Sequence, residues 1–262
     1  MTALEALAPL IDVARGAVLV AVAVFARVGA AVALMPGFGE TSLPIRLKLG
    51  AALAFAVIVW PAVPVPATLP AGDFAGFGLV LLAEAVAGVL LGLSVRLLIF
   101  SLQMAGAMAA QSTSIAQMFG EGLMADPQPA YSNLLAVGGI ALAFALGLPV
   151  HVAASLIDSY ATLPFGQFPL GSDVASWGSE RVGRAFGTAL SLALPFVLMA
   201  FAYNVALGAI NRAMPQLMVA FVGAPAITGG ALLMMGLATP FILQVWGLRL
   251  LDVLADPFGA MP

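Results

Sequence analysis

Apolar residues run along this chain in long blocks, at about Ala17–Met35, Leu47–Val65, Phe74–Ala110, Leu134–Ile157, Phe186–Ile210 and Leu217–Leu254, separated by short segments rich in Pro, Gly and polar residues. A hydrocarbon core about 30 Å thick takes about 20 apolar residues of helix to cross, and the blocks are of that order or longer. Ala, Leu and Gly dominate them, and the ten-residue alternating segments that build a membrane barrel are missing from the pattern. The expected fold is all-α: an integral membrane-type protein with six hydrophobic segments. Two blocks fit poorly as simple spans. Phe74–Ala110 would make a helix of about 55 Å, so it extends beyond lipid or bends. Leu217–Leu254 holds Pro225, Pro240 and the pair Gly229-Gly230. Proline removes a backbone donor and clashes one turn back, so kinked or broken helices are expected there. Irregular backbone at membrane depth is tolerated only where protein or a wet cavity surrounds it, which leans towards a subunit embedded among other subunits.

Composition sharpens this picture. Apolar residues make up 63% of the 262 and charged residues 8%, against about 45–50% and about 25% in soluble domains. No composition shift divides the chain, so residues 1–262 read as one domain. The net charge is −3, and the nine Lys and Arg residues are scattered singly. No basic stripe exists to neutralise a phosphate backbone, which excludes nucleic acid as a main partner. Alternating six spans puts Arg46, Lys48 and Arg212 on one side and Arg15, Arg181, Arg184 and Arg249 on the other, so loop charge does not set orientation. Glu5 and Asp12 precede Arg15, and Arg27 interrupts the next apolar run, unlike a cleavable signal; the first segment is expected to be retained.

Candidate chemistry is sparse. The sequence has no HExxH, no G-x-S-x-G and no P-loop lysine; its one lysine, Lys48, sits in IRLKLG. With zero cysteines and a single histidine, His151, no thiolate or histidine-based metal site is expected, nor any cofactor. The informative polar residues are Arg27, Glu84 and Arg96, each inside an apolar run, where an unpaired charge costs at least about 2.5–3.5 kcal/mol. Each needs a partner or water. Glu84 and Arg96 stand twelve residues apart, about 18 Å of rise on one helix, and cannot pair locally. Inter-helix ion pairs, with Arg27 and Glu84 as one candidate, are the structural reading; a transport role is the functional one. Small residues recur at four-residue spacing in Gly88-Val89-Leu90-Leu91-Gly92 and Gly183-Arg184-Ala185-Phe186-Gly187, a spacing that admits close helix packing or arises by chance in a chain with 28 glycines. The segment Gln111–Asn133, QSTSIAQMFGEGLMADPQPAYSN, mixes hydroxyls and amides with Met118, Phe119, Leu123 and Met124. It reads as a pore plug or as an amphipathic surface loop, since Met fills irregular gaps and Gly120 and Gly122 let the backbone rearrange.

At Met35–Gly50 the residues MPGFGETSLPIRLKLG resemble the N-terminal signature of the FliR family and its injectisome relatives, with helix breaks at Pro36 and Pro44. Asp126-Pro127, then LIDSYATLPFG at Leu156–Gly166, then NRAMPQL at Asn211–Leu217 with Pro215, followed by Gly223 and Pro225, stand in the family's order and approximate spacing across residues 15–256. The resemblance implies a non-enzymatic, pore-forming subunit of the flagellar export gate, in the inner membrane at the flagellar basal body, much of it standing above the bilayer plane. It implies a fold of helical hairpins like a fusion of FliP-like and FliQ-like parts, and assembly with FliP-like, FliQ-like and FlhB-like subunits around unfolded export substrates. It places a plug within Gln111–Asn133, with Met118 and Phe119 as closing residues. The alternatives are an injectisome subunit and a small-molecule transporter, which would need an internal repeat that is not evident.

Overall fold

A computed structural model describes residues 3–63, 74–112, 130–213 and 219–259 of the chain. The elements are α1 (Ala3–Leu34), α2 (Ile45–Val59) with a 3-10 turn at Trp60–Ala62, α3 (Phe74–Ser112), α4 (Ala130–Ala145), α5 (Leu148–Thr162), α6 (Gly171–Ala213) and α7 (Val219–Ala255). No strand occurs among the described residues. Five of these helices are long and apolar enough to cross a membrane, or six spans result if α4 and α5 count as one bent pair. The fold is the all-α, multi-pass membrane type that the hydrophobic blocks predict.

Helix boundaries follow local chemistry. After α1 the chain turns at Pro36 and Gly37, the latter at φ +82°, a conformation that suits glycine. Pro44 precedes α2 in an extended conformation, φ −57° and ψ 140°, so its ring is pre-set for a helix start without a side-chain cap. The apolar block Leu134–Ile157, continuous in hydropathy, is broken in two. Gly147 adopts φ +82° and Pro149 opens α5, so the helix ends at that point. The block Leu217–Leu254 does the reverse: α7 runs unbroken through Pro225, the Gly229-Gly230 pair and Pro240. Thr239, just before Pro240, donates its hydroxyl to the Met235 carbonyl at 2.6 Å. Such local bonds let a membrane helix carry a proline without breaking.

The described residues form two compact units, each discontinuous in sequence. Of the described residues, unit 1 holds 3–63, 74–96, 147–179 and 251–259, and unit 2 holds 97–112, 130–146, 180–213 and 219–250. In unit 1, α1 and the first part of α3 lie in close contact along Gly88 and Gly92. A Cβ on Gly88 would come within 2.0 Å of the Arg27 carbonyl oxygen, and one on Gly92 within 2.6 Å of the Ala31 oxygen. The two helices therefore touch backbone to backbone, in parallel register. The buried indole of Trp177 closes this unit elsewhere, donating to the Pro257 carbonyl at 3.2 Å.

In unit 2, α6 and α7 form an antiparallel hairpin: Arg249 reaches Thr188, while Tyr131 of α4 touches both Phe196 and Thr239. The second part of α3 crosses α4 at Gly106, whose Cβ would meet the Ser132 backbone at 2.5 Å. Ser132 seals the crossing by donating to the Gln103 carbonyl at 2.7 Å. Trp246, wholly buried, donates to the Leu98 carbonyl at 2.9 Å and packs beside Gly139. A Cβ on Gly139 would lie at ordinary contact distance from this ring, about 3.5 Å, but only 2.4 Å from Leu102 Cδ1, so it is Leu102 that takes the space the glycine leaves.

Candidate functional site

The interior of unit 1 holds a charge cluster built by three helices. α1 supplies Arg27 and α3 supplies Glu84, one turn before Gly88 on the face that touches α1. α5 and the turn after it supply Ser159, Tyr160, the Leu163 carbonyl and the Gly166 amide. Arg27 and Glu84 are joined side-on, Nε to Oε2 at 2.9 Å and Nη2 to Oε1 at 3.0 Å, with side chains 1% and 0% exposed. Such a two-pronged pair uses the planar guanidinium fork, which a lysine could not reproduce. Arg27 further donates from Nη1 to the Ser159 hydroxyl at 3.0 Å and from Nη2 to the Leu163 carbonyl at 2.9 Å. Glu84 further accepts from the Tyr160 hydroxyl at 3.0 Å and from the Gly166 amide at 2.8 Å. The Tyr160 ring lies 3.7 Å under the guanidinium carbon and stacks on Phe165, adding a cation–π contact.

Burying two opposite charges is favourable only when their remaining donors and acceptors are also met. Here each Glu84 oxygen accepts two bonds, and no buried side-chain N or O among the described residues lacks a partner. The arrangement is a fixed electrostatic node rather than a site open to a ligand.

A second ion pair pins the connection between α1 and α2. Arg96 meets Glu40 at 2.5 Å, with side chains 24% and 29% exposed, and Lys48 donates to the Gly39 carbonyl at 3.2 Å. Phe38 sets its ring edge-on to Phe55 at 5.5 Å. Gly39 is required there, because its Cβ would lie 2.2 Å from the Ala33 carbonyl oxygen. Of the helix-break prolines, Pro36 sits buried in this connection, Pro44 is exposed before α2, Pro225 falls within continuous α7, and Pro215 lies outside the described residues. Met118, Phe119, Leu123 and Met124 also lie outside them. His151 is exposed on α5, away from any cluster of metal-ligating residues, of which none occurs among the described residues.

In unit 2 a groove of about 510 Å³ opens between α3, the start of α4 and α6, its lining including Leu97, Phe100, Met104 and Phe186 as well as Gln103 and Gln111. The exposed face of α6 carries Val182, Phe186, Leu190, Leu194, Leu198, Phe201 and Val205, spaced by four and three residues. Gly183 and Gly187, beside this row, meet nothing within 4 Å of a Cβ. The two small-residue motifs thus differ: Gly88 and Gly92 are filled by α1, while Gly183 and Gly187 are open.

Sequence reasoning singled out the charges but missed Ser159, Tyr160 and Gly166 as their companions. A signal was present, since all three lie within the LIDSYATLPFG motif, as Glu40 and Lys48 lie within MPGFGETSLPIRLKLG.

Fold and site together define a multi-pass helical membrane protein whose interior polar chemistry fastens helices to one another. Residues 18–252 match the family of bacterial export proteins, family 1, and the chain belongs to that family, the FliR-type flagellar export proteins. It is 32% identical over 244 residues to the flagellar biosynthetic protein FliR of Caulobacter vibrioides, covering 90% of this chain and 95% of that one. Identity to the FliR protein of Escherichia coli K12 is 29% over 248 residues, 90% and 91% of the two chains. With the FliR protein of Aquifex aeolicus it is 28% over 211 residues, 79% and 80%. The protein therefore serves flagellar biosynthesis and protein export as a multi-pass membrane component of the flagellar apparatus, and it is not an enzyme.

Proposed function

We propose that the chain is a structural, pore-forming subunit of the flagellar export gate at the inner-membrane base of the flagellum, assembled with FliP-like, FliQ-like and FlhB-like subunits around a path for unfolded flagellar proteins. The observation that carries this reading is the length of uncovered apolar surface on α6. Exposed large apolar residues run from Val182 to Ile210, about 42 Å at 1.5 Å per residue. A hydrocarbon core of about 30 Å covers that length only at a tilt beyond the usual range of about 0–40°. Part of the row then needs protein against it. α7 adds Leu233, Leu237, Phe241 and Leu248, exposed on the other arm of the same hairpin. All three relatives named above carry flagellar names, which favours the flagellar over the injectisome branch.

Co-purification tests the proposal. Expressed alone, the chain elutes from size exclusion in detergent as a heterogeneous population; co-expressed with FliP-like and FliQ-like subunits, it enters one discrete particle. A stable, monodisperse monomer that does not co-migrate with them would overturn it.

A further inference from the structure

The interior charge cluster has a direction. Arg27 faces the C-terminal end of α5, where helix carbonyls lack intrahelical donors and the macrodipole is negative. α5 carries no basic residue in its own last turn. Arg27, reaching in from α1, supplies the missing cation and bonds the terminal Leu163 carbonyl and Ser159. Ser159 can only accept from Arg27 in this arrangement, because its own hydroxyl donates to the Leu156 carbonyl at 2.7 Å. Glu84 faces the opposite kind of group: the Gly166 amide and the Tyr160 hydroxyl, both donors. Gly166 holds φ +70°, and a Cβ there would press on Val80, one turn before Glu84 on α3. The turn after α5 therefore lies on α3 with its amide aimed at the carboxylate.

From this geometry we infer that Arg27 and Glu84 are a polarised clamp that ends α5 and fixes the direction in which the chain leaves for α6, with Tyr160 as the positioning residue that holds both charges. An ion pair that only set the register of α1 against α3 would work with its charges exchanged. This clamp does not. A glutamate at 27 puts a second negative group against the Leu163 carbonyl, and an arginine at 84 puts donors against the Gly166 amide and leaves both ends unmatched. The inference does not depend on which subunits surround the chain, since every group in it belongs to unit 1.

Hydrogen exchange on the full-length chain, purified in detergent with its co-expressed export partners, provides the test. Tyr160→Phe keeps both charges and removes one bond to Glu84. Exchange in residues 164–168 should rise roughly tenfold, the factor lost with one hydrogen bond to a charged group, while amides in the middle of α4 stay as in the natural chain. Glu84→Gln should raise exchange in the same segment. Arg27→Lys should raise it in residues 160–163, because one ammonium cannot serve Glu84, Ser159 and the Leu163 carbonyl together. The exchanged pair Arg27→Glu with Glu84→Arg should be no better protected, and assemble no better, than either single change. Restoration of protection or assembly by the exchanged pair would overturn the inference. If all charge variants fail to accumulate, Tyr160→Phe decides, and unchanged exchange in 164–168 sinks the clamp.

Discussion

Replacing Arg27 by Leu leaves the Glu84 carboxylate buried beside a tyrosine hydroxyl and an amide, with no cation to balance it. Replacing Glu84 by Leu strands the guanidinium instead. Breaking a buried pair from one side costs about 3–5 kcal/mol, so each single variant should lower unfolding stability in detergent by that order. The double variant should lose much less than the sum, because the coupling vanishes with both charges; strictly additive losses would mean that the groups act independently. The glycines give a second residue-level contrast. Gly88→Ala drives a methyl into the Arg27 carbonyl and should cost about 1–3 kcal/mol, as overpacking does. Gly187→Ala enters open space and should leave the lone chain neutral or raise helix stability by up to about 1 kcal/mol, checked by thermal unfolding of the two variants side by side. Arg27 and Glu84 were legible in sequence because a charge inside an apolar run announces a need. Their companions were not, since a serine and a tyrosine on an amphipathic helix look ordinary, and a backbone carbonyl or amide has no letter of its own.

Among the elements, the break between α4 and α5 and the continuity of α7 show what hydropathy does and does not carry. The block Leu134–Ile157 is apolar throughout, so its average conceals Gly147 and Pro149, where backbone conformation rather than polarity ends the helix. Gly147→Ala places a Cβ in the left-handed region, which costs about 1–2 kcal/mol. The variant should lose that much stability by denaturant unfolding in detergent, whereas Gly50→Ala, a helical glycine with nothing within 4 Å of a Cβ, should lose none. α7 carries prolines expected to kink or break it, and it is not broken: a helix surrounded by apolar material keeps its remaining hydrogen bonds at almost any cost of bending. Local breaker signals therefore outranked composition in one block and yielded to helix cohesion in the other. The small-residue spacing of α3 and α6 was equally visible in sequence; only the packed structure distinguishes the occupied motif from the open one.

For the whole molecule, the all-α membrane class was readable from hydropathy alone, and six apolar blocks correspond to the observed spans only if α4 and α5 count as one bent pair; the division into two units was not readable. Both units draw on distant stretches of chain, and pattern along a sequence does not say which helices cross. The exposed face of α6 makes the matching prediction. Leu194 and Leu198 lie on the exposed face of α6, and Leu194→Asp or Leu198→Asp places a carboxylate on that apolar surface at a cost of about 2.5–3.5 kcal/mol at membrane depth. Membrane-integrated protein, or its co-purification with export partners, should fall sharply in both, and unchanged levels would show that this face is bathed in water. The clamp of unit 1 also has a history in time. Glu84 precedes Gly166 by 82 residues, so at about 5–20 residues per second the ribosome needs about 4–16 s to deliver the last donor. Through that interval the newborn carboxylate has only Arg27, made earlier, to hold it inside the membrane-bound nascent chain. A pause or truncation before Gly166 would release a half-built node whose carboxylate lacks the Gly166 amide, the kind of polar defect in an apolar helix pair that gives membrane quality control something to grip.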